Sequence, residues 1–160
     1  MPYHEARRRI RHSAAAMFDL VADGERYPEF LPYCTGLKVL RRITGPDGRP
    51  VMLASMTVGY GPISESFVSR VILDRPNLKI TVQYVDGPFR HLDNRWAFRD
   101  LPDGGSEVDF SIDYSFRSRT FELLTGSVFD KLFRRMADAF ITRADALHGK
   151  EPAHIKGPGC

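Results

Sequence analysis

Cysteine is scarce in this chain: Cys34 and Cys160 are its only two. Their separation makes neither a metal-binding pair nor a disulfide framework, and it fits a reducing compartment. No apolar run approaches the roughly 20 residues that span a bilayer, and polar, charged residues follow Met1 where a secretory leader would be apolar. A cytoplasmic protein is expected, at most peripheral at the inner face of the membrane. Charge of either sign is in small excess only, with 23 basic against 20 acidic residues and a net charge of +3. That mild imbalance describes a solvated surface rather than a dedicated polyanion site, and no DNA partner is expected. Catalytic signatures are missing as well: there is no G-x-S-x-G elbow, H-E-x-x-H pair, P-loop or dinucleotide-binding glycine motif. The histidines, His4, His12, His91, His148 and His154, show no metal-ligand spacing, so neither metal nor cofactor is expected.

What is present is an ordinary globular balance in 160 residues, 42% hydrophobic and 27% charged, enough for one domain that holds its core without disulfides. Eleven phenylalanines exceed the needs of a plain core and hint at a cavity. Pro152, Gly157, Pro158 and Gly159 mark a loose tail, so the boundaries read as a single domain over 1–147 and a flexible tail over 148–160.

Hydrophobic period orders the elements. Tyr3 to Arg11 reads as a first strand, with Arg7, Arg9 and Arg11 on one face and Arg8 with Ile10 on the other. Ser13 is a good N-cap for a helix carrying Ala14, Met17, Phe18 and Val21 and stopping by Asp23-Gly24. A helical turn around Tyr27 to Leu31 follows, limited by Pro28 and Pro32. From Thr35 the period becomes two. Strands are expected around Leu37–Ile43, Val51–Val58, Ser64–Leu73, Lys79–Val85 and Leu92–Phe98, separated by turns rich in Gly, Pro, Asp and Asn. The last strand alternates most cleanly: Val108, Phe110, Ile112, Tyr114 and Phe116 point to one side, Asp109, Ser111, Asp113 and Ser115 to the other. Thr120 to Leu147 is an amphipathic helix with Phe129, Leu132, Phe133, Met136, Phe140 and Ala144 along one stripe. Gly126 costs about 1 kcal/mol there relative to Ala, and allows a kink or a close approach. Asp130, Arg134 and Asp138, four apart, are placed to pair on another face.

A sheet with one apolar face must cover it, and only the terminal helix is long enough. The fold class is therefore α+β: a seven-stranded, curved antiparallel sheet around a long C-terminal helix, with two short helices between strands one and two. The open end of such a sheet leaves a gap that a ligand can fill. Acid–base chemistry is poorly served. His91 and Asp93 share one side of a strand, which reads as a surface pair, and the acids of the last strand lie opposite its aromatic face.

Three motifs carry a resemblance. They are Y-P-E-F-L-P-Y-C-T-G from Tyr27 to Gly36, V-D-G-P-F-R-H-L-D-N-R-W-A-F from Val85 to Phe98, and F-x-x-L-F-x-x-M-x-x-A-F-x-x-R-A from Phe129 to Ala144. In this order they resemble the coenzyme Q-binding family of START-like (polyketide cyclase/dehydrase-like) proteins, whose bacterial members include ribosome-association toxins. The resemblance implies a helix-grip (START/Bet v 1-like) fold and non-catalytic binding of ubiquinone or a related isoprenoid lipid, supporting respiratory electron transport or quinone biosynthesis. It supplies no catalytic residue. The motif positions Tyr27, Pro28, Phe30, Leu31, Pro32, Cys34, Asp86, Gly87, Pro88, Phe89, Trp96 and Phe98 would sit at the cavity's rim and wall, where Pro and Gly also fix turns.

Together with the aromatic and methionine pattern, the expected ligand wall or rim is Phe30, Leu31, Met56, Phe67, Tyr84, Phe89, Trp96, Phe98, Tyr114, Phe129, Phe133, Met136 and Phe140. Tyr60, Tyr84, Asn94 and Tyr114 are candidate donors to a quinone oxygen. The partner is then a hydrophobic small molecule, with peripheral membrane contact. A ribosome contact, as in a toxin-like regulator of the large subunit, and an aromatase/cyclase-like enzyme are the competing readings. Arg7, Arg9 and Arg11 offer guanidinium groups to anionic lipid heads or RNA phosphates.

Overall fold

A computed structural model describes residues 3–117 and 127–148, with Tyr60, Ile63 and residues 127–130 described by their backbone alone. Along the chain come β1 (Tyr3–Ile10), α1 (Ala14–Ala22), a short 3-10 helix (Gly24–Arg26), α2 (Tyr27–Phe30), β2 (Cys34–Thr44), β3 (Pro50–Tyr60), β4 (Ile63–Asp74), β5 (Lys79–Asp86), β6 (Phe89–Asp100), β7 (Ser106–Phe116) and α3 (Ser127–His148). One seven-stranded sheet in the order β1-β7-β6-β5-β4-β3-β2 contains every strand among the described residues. All pairings are antiparallel. This is the architecture that strand count and helix placement predict. Register shifts at Cys34/Gly36, Val39/Arg41, Val68/Ser69 and Phe89/His91 mark irregularities of the kind that bend a strand and increase its twist.

The short helices form where their signals lie. Ser13 caps α1, its Oγ accepting from the Ala16 N–H at 3.1 Å, and Ala14, Met17, Phe18, Leu20 and Val21 are buried. Asp100 of β6 accepts a second orphan donor, the Ala14 N–H, at 2.8 Å, fixing the helix to the sheet. Pro28 stands in the first turn of α2, where its missing N–H is no loss, and the Leu31 N–H closes that turn on the Tyr27 carbonyl at 2.8 Å. At the β5–β6 turn, Gly87 has φ +146°, and a Cβ there would lie 2.6 Å from that of Phe67. Only glycine lets this turn lie against β4.

Helix α3 covers the sheet's inner face with Leu132, Phe140 and Ala144 buried and Phe133, Met136 and Ile141 half-buried. Phe140 is the anchor: its ring meets those of Tyr27, Phe30 and Trp96 at 5.4, 5.4 and 5.6 Å between centroids. Polar contacts along the flanks hold the helix in register. Asp138 accepts from Arg8 Nη2 at 3.1 Å, Asp145 meets His12 Nε2 at 2.7 Å, and Arg143 Nη2 donates to Glu29 at 2.9 Å.

Some expectations require correction. Asp138 pairs with Arg8 of β1, because that strand lies alongside the helix; Asp130's side chain, Gly126 and the expected helix start lie outside the described residues. Helix α3 runs through His148, the first residue assigned to the tail; the rest of the tail is also outside. Strand β1 ends at Ile10, so Arg11 leaves the arginine face, and Arg7 Nε is bonded to Asp109 of β7 at 2.7 Å. Ser115, expected on the wet face, is buried. There the β5–β6 turn is drawn onto the end of β7: the Arg117 N–H bonds the Pro88 carbonyl at 2.9 Å and its Nε the Phe89 carbonyl at 3.1 Å.

Phe140→Ala should lower stability by about 3–5 kcal/mol, since it removes a buried ring from three aromatic neighbours. For a chain of this length that corresponds to a melting point about 10 °C lower. A thermal melt within a degree of wild type would mean that α3 packs through another face.

Candidate functional site

Alternation along each strand decides what faces inward. From β3 come Met52, Ala54, Met56 and Val58, from β4 Phe67, Ser69 and Val71, from β5 Ile80 and Val82, and from β7 Val108, Phe110, Ile112, Tyr114 and Phe116. Strand β6 adds Phe89, Leu92, Asn94 and Trp96, and β1 adds His4, Ala6, Arg8 and Ile10. Helix α3 closes over them with Leu132, Phe133, Met136, Ala137, Phe140 and Ile141. Between them lies a partly open cavity of about 300 Å³. It lies between two packed clusters. One is built on α1, Phe98 and Phe140, the other on Phe89, Leu92, Tyr114 and Phe116.

The wall is overwhelmingly apolar, and most of its polar side chains are already engaged. Asn94 donates through Nδ2 to the Ser111 carbonyl at 2.8 Å and accepts from Trp96 Nε1 at 3.0 Å. Tyr27 donates its hydroxyl to the Val21 carbonyl, and Tyr33 accepts from Arg135 Nη1 at 3.0 Å. Arg8 is held by Asp138, and His4 stacks on Phe133 at 4.8 Å. Glu65 of β4 also borders the cavity, from an exposed position. Ser69 is buried, and its Oγ has no hydrogen-bond partner.

Of the expected wall, Leu31, Met56, Phe67, Phe89, Trp96, Tyr114, Phe133, Met136 and Phe140 bound the cavity. Three do not. Phe98 faces inward, but at the end of the sheet that α1 covers, where it packs on Phe18 at 5.8 Å as solid core. Phe30 packs on Tyr27 and Phe140 beneath the Arg143 guanidinium, 5.0 Å from its ring centre. Tyr84 stands behind Phe89, its hydroxyl accepting the Phe89 N–H at 3.1 Å. Phe129 lies in α3 with its side chain outside the described residues, as does that of Tyr60. Residues that expectation missed include Tyr33, Ala54 and Ser69. The available signal for Ser69 was a lone serine between Phe67 and Val71 on an otherwise apolar face.

His91 pairs across strands with Asp113, Nε2 to Oδ1 at 3.1 Å, while Asp93 holds Arg95 at 3.2 Å. Neither His91 nor Asp93 bounds the cavity, so this pair brings no acid or base to it. Among the described residues no cluster of His, Cys, Asp or Glu could hold a metal ion. Nor is any helix among them long and apolar enough to cross a membrane. Cys34 is buried, its Sγ directed at the Gly36 carbonyl 3.6 Å away, and burial pushes its thiol up. Burial also pushes the Tyr27 phenol far up, with smaller contributions from Cys34 and Asp23.

The fold, a curved antiparallel sheet with a long C-terminal helix across its inner face, is that of START-like proteins. A START superfamily protein from Mycobacterium smegmatis superposes with a TM-score of 0.75 over 92% of this chain and 99% of its own, at 21% identity, which speaks to fold alone. Residues 10–141 match the family described as "Polyketide cyclase / dehydrase and lipid transport", and the chain belongs to it. It is 36% identical to "Ribosome association toxin RatA" of Vibrio cholerae, over 88% of this chain and 94% of that one. It is 30% identical to "Coenzyme Q-binding protein COQ10 homolog B, mitochondrial" of Xenopus laevis, over 87% of this chain and 56% of that one.

Both raised groups are neutral when folded, and the unfolded chain ionises first, near pH 8.5 for the thiol and about 10 for the phenol. Their stability contribution is complete below those values and declines as pH climbs through them. Thermal melts between about pH 9 and 11 should show this decline, and Tyr27→Phe should flatten its upper part. Parallel pH profiles for the two proteins would show the phenol to be solvated.

Proposed function

We propose that the chain binds ubiquinone or a related isoprenoid quinone in this cavity and does not transform it, acting as an escort for a membrane lipid in respiratory electron transport or quinone biosynthesis. The observation that carries the reading is the apolar cavity between sheet and helix, most of whose described polar side chains are hydrogen-bonded within the protein. The name of the Xenopus laevis relative points the same way.

Partition sets the mechanism. Each methylene of a polyprenyl tail costs about 0.8 kcal/mol in water, so the lipid resides in membranes and gains little hydrophobic energy by changing one apolar host for another. Affinity then depends on shape and on a few polar contacts at the head. A cavity of about 300 Å³ lies at the small end of ligand sites and suits a substituted ring with the start of its tail. The exchange requires a visit to the membrane surface, which keeps the protein cytoplasmic and peripheral.

The ribosome reading has its own support in the 36% identity to the Vibrio cholerae relative. Exposed Arg9 and Arg11 near β1, and Lys38 and Arg41 on the edge strand β2, supply positive charge for RNA phosphates. It uses the surface and leaves the cavity to its ligand. Co-sedimentation with large ribosomal subunits that weakens with added salt would favour it.

Trp96, the single tryptophan, lines the cavity and reports on its contents. Titration with decylubiquinone should quench its fluorescence saturably at one ligand per chain. Linear quenching without saturation would overturn the quinone reading.

A further inference from the structure

Four cross-strand pairs of the β3–β4 wall border the cavity: Met52 with Val71, Ala54 with Ser69, Met56 with Phe67, and Val58 with Glu65. The Ala54–Ser69 pair is the smallest of them and is flanked by the bulkier Met52–Val71 and Met56–Phe67 pairs. A recess therefore lies between them, at the level of Ser69. Ser69 is only 4% exposed, and its Oγ is bonded to nothing in the protein. A buried hydroxyl without a partner is destabilising, and its persistence on a ligand-facing wall calls for a partner that arrives from the cavity. The register shift at Val68/Ser69, opposite the strand carrying Val85, sits at the same place, and such irregularities re-aim side chains beside functional sites. Two other buried serines lack partners, Ser106 and Ser115, but neither bounds the cavity.

We infer that Ser69 is the polar anchor of the cavity: its hydroxyl donates a hydrogen bond to an acceptor oxygen, carbonyl or ether, on the head of an otherwise apolar ligand. The head occupies the recess beside Ala54, and the tail runs over the methionine and aromatic remainder of the wall. This rests on the reading of the cavity as an apolar-ligand site and adds to it an orientation and a chemical requirement. The sequence offered Tyr60, Tyr84, Asn94 and Tyr114 for this role; Tyr84 and Asn94 already hold hydrogen-bond partners in the protein, Tyr114 has contacts of its own there, and the Tyr60 side chain lies outside the described residues. Serine has one rotatable bond to its hydroxyl, so it can turn to a ligand without disturbing the wall.

The test compares decylubiquinone with decylbenzene, which keeps a ring and the same tail but lacks the oxygens, on wild type and Ser69→Ala by titration calorimetry. Ser69→Ala should weaken the quinone about tenfold and leave decylbenzene unchanged or tighter. The infrared carbonyl band of the bound quinone should be lowered in frequency in wild type and return towards its hydrocarbon-solution position in Ser69→Ala. Without ligand, Ser69→Ala should melt at or above the wild-type temperature, because an unpaired hydroxyl has been removed. Equal affinities for the quinone in the two proteins, or equal weakening of both ligands, would overturn the anchor while leaving the cavity reading intact. A lower melting point of the ligand-free variant would overturn it too, by showing that the hydroxyl is bonded in the folded protein. Wild type that binds neither compound would remove both the cavity reading and the anchor.

Discussion

Phe140 is where sheet, short helices and long helix meet. Its ring meets those of Tyr27, Phe30 and Trp96. A seven-stranded sheet with an apolar inner face cannot stand in water uncovered, and α3 is the element that covers it. A helix is about 10–12 Å across and straight on the scale of this sheet, so it cannot touch a curved surface everywhere. Where α1 and α2 add their own side chains, the space fills and becomes core around Phe18 and Phe98. Farther along, no third layer is available among the described residues and the space stays open. The cavity thus follows from the mismatch between a straight helix and a bent sheet, with Phe140 on its wall.

Much of this architecture was legible because each local signal agreed with the global one. The alternation in β7 named five inward residues, and all five bound the cavity. Ser13 marked the start of α1 because an oxygen at an N-cap has a specific donor to satisfy. What escaped was position along the strand. Period two distinguishes the inner face from the outer, but not the stretch under α1 from the stretch under open space. Phe98 and Trp96 both face inward by pattern, yet only Trp96 borders the cavity. Tyr84 and Asp138 escaped for a related reason: their partners, the Phe89 N–H and Arg8, are set by register and by the closing of β1 onto β7. Ser69 escaped because sequence reasoning looked for large donors.

Fold and family leave the chemistry open, since one architecture hosts many functions and the site must decide. Here the site is a largely apolar wall with a buried, unpartnered serine hydroxyl beside Ala54, and many of its aromatic contacts are edge to face. Such a wall suits an apolar ligand. It also separates two surfaces that the relatives' names evoke: an interior suited to a lipid and an exterior whose exposed arginines and lysine suit anions. A protein that carries a lipid inside and meets a large assembly outside needs no compromise between the two, because the residues do not overlap.

The most direct test of the central claim is to ask what occupies the cavity when the protein is taken from cells. Native mass spectrometry of gently purified protein, followed by organic extraction and identification of the released molecule, answers this without a chosen probe. The account predicts a polyprenyl quinone at up to one molecule per chain, released on unfolding. Protein that carries no lipid from a quinone-rich host, or only bulk phospholipid in proportion to its abundance, would contradict it.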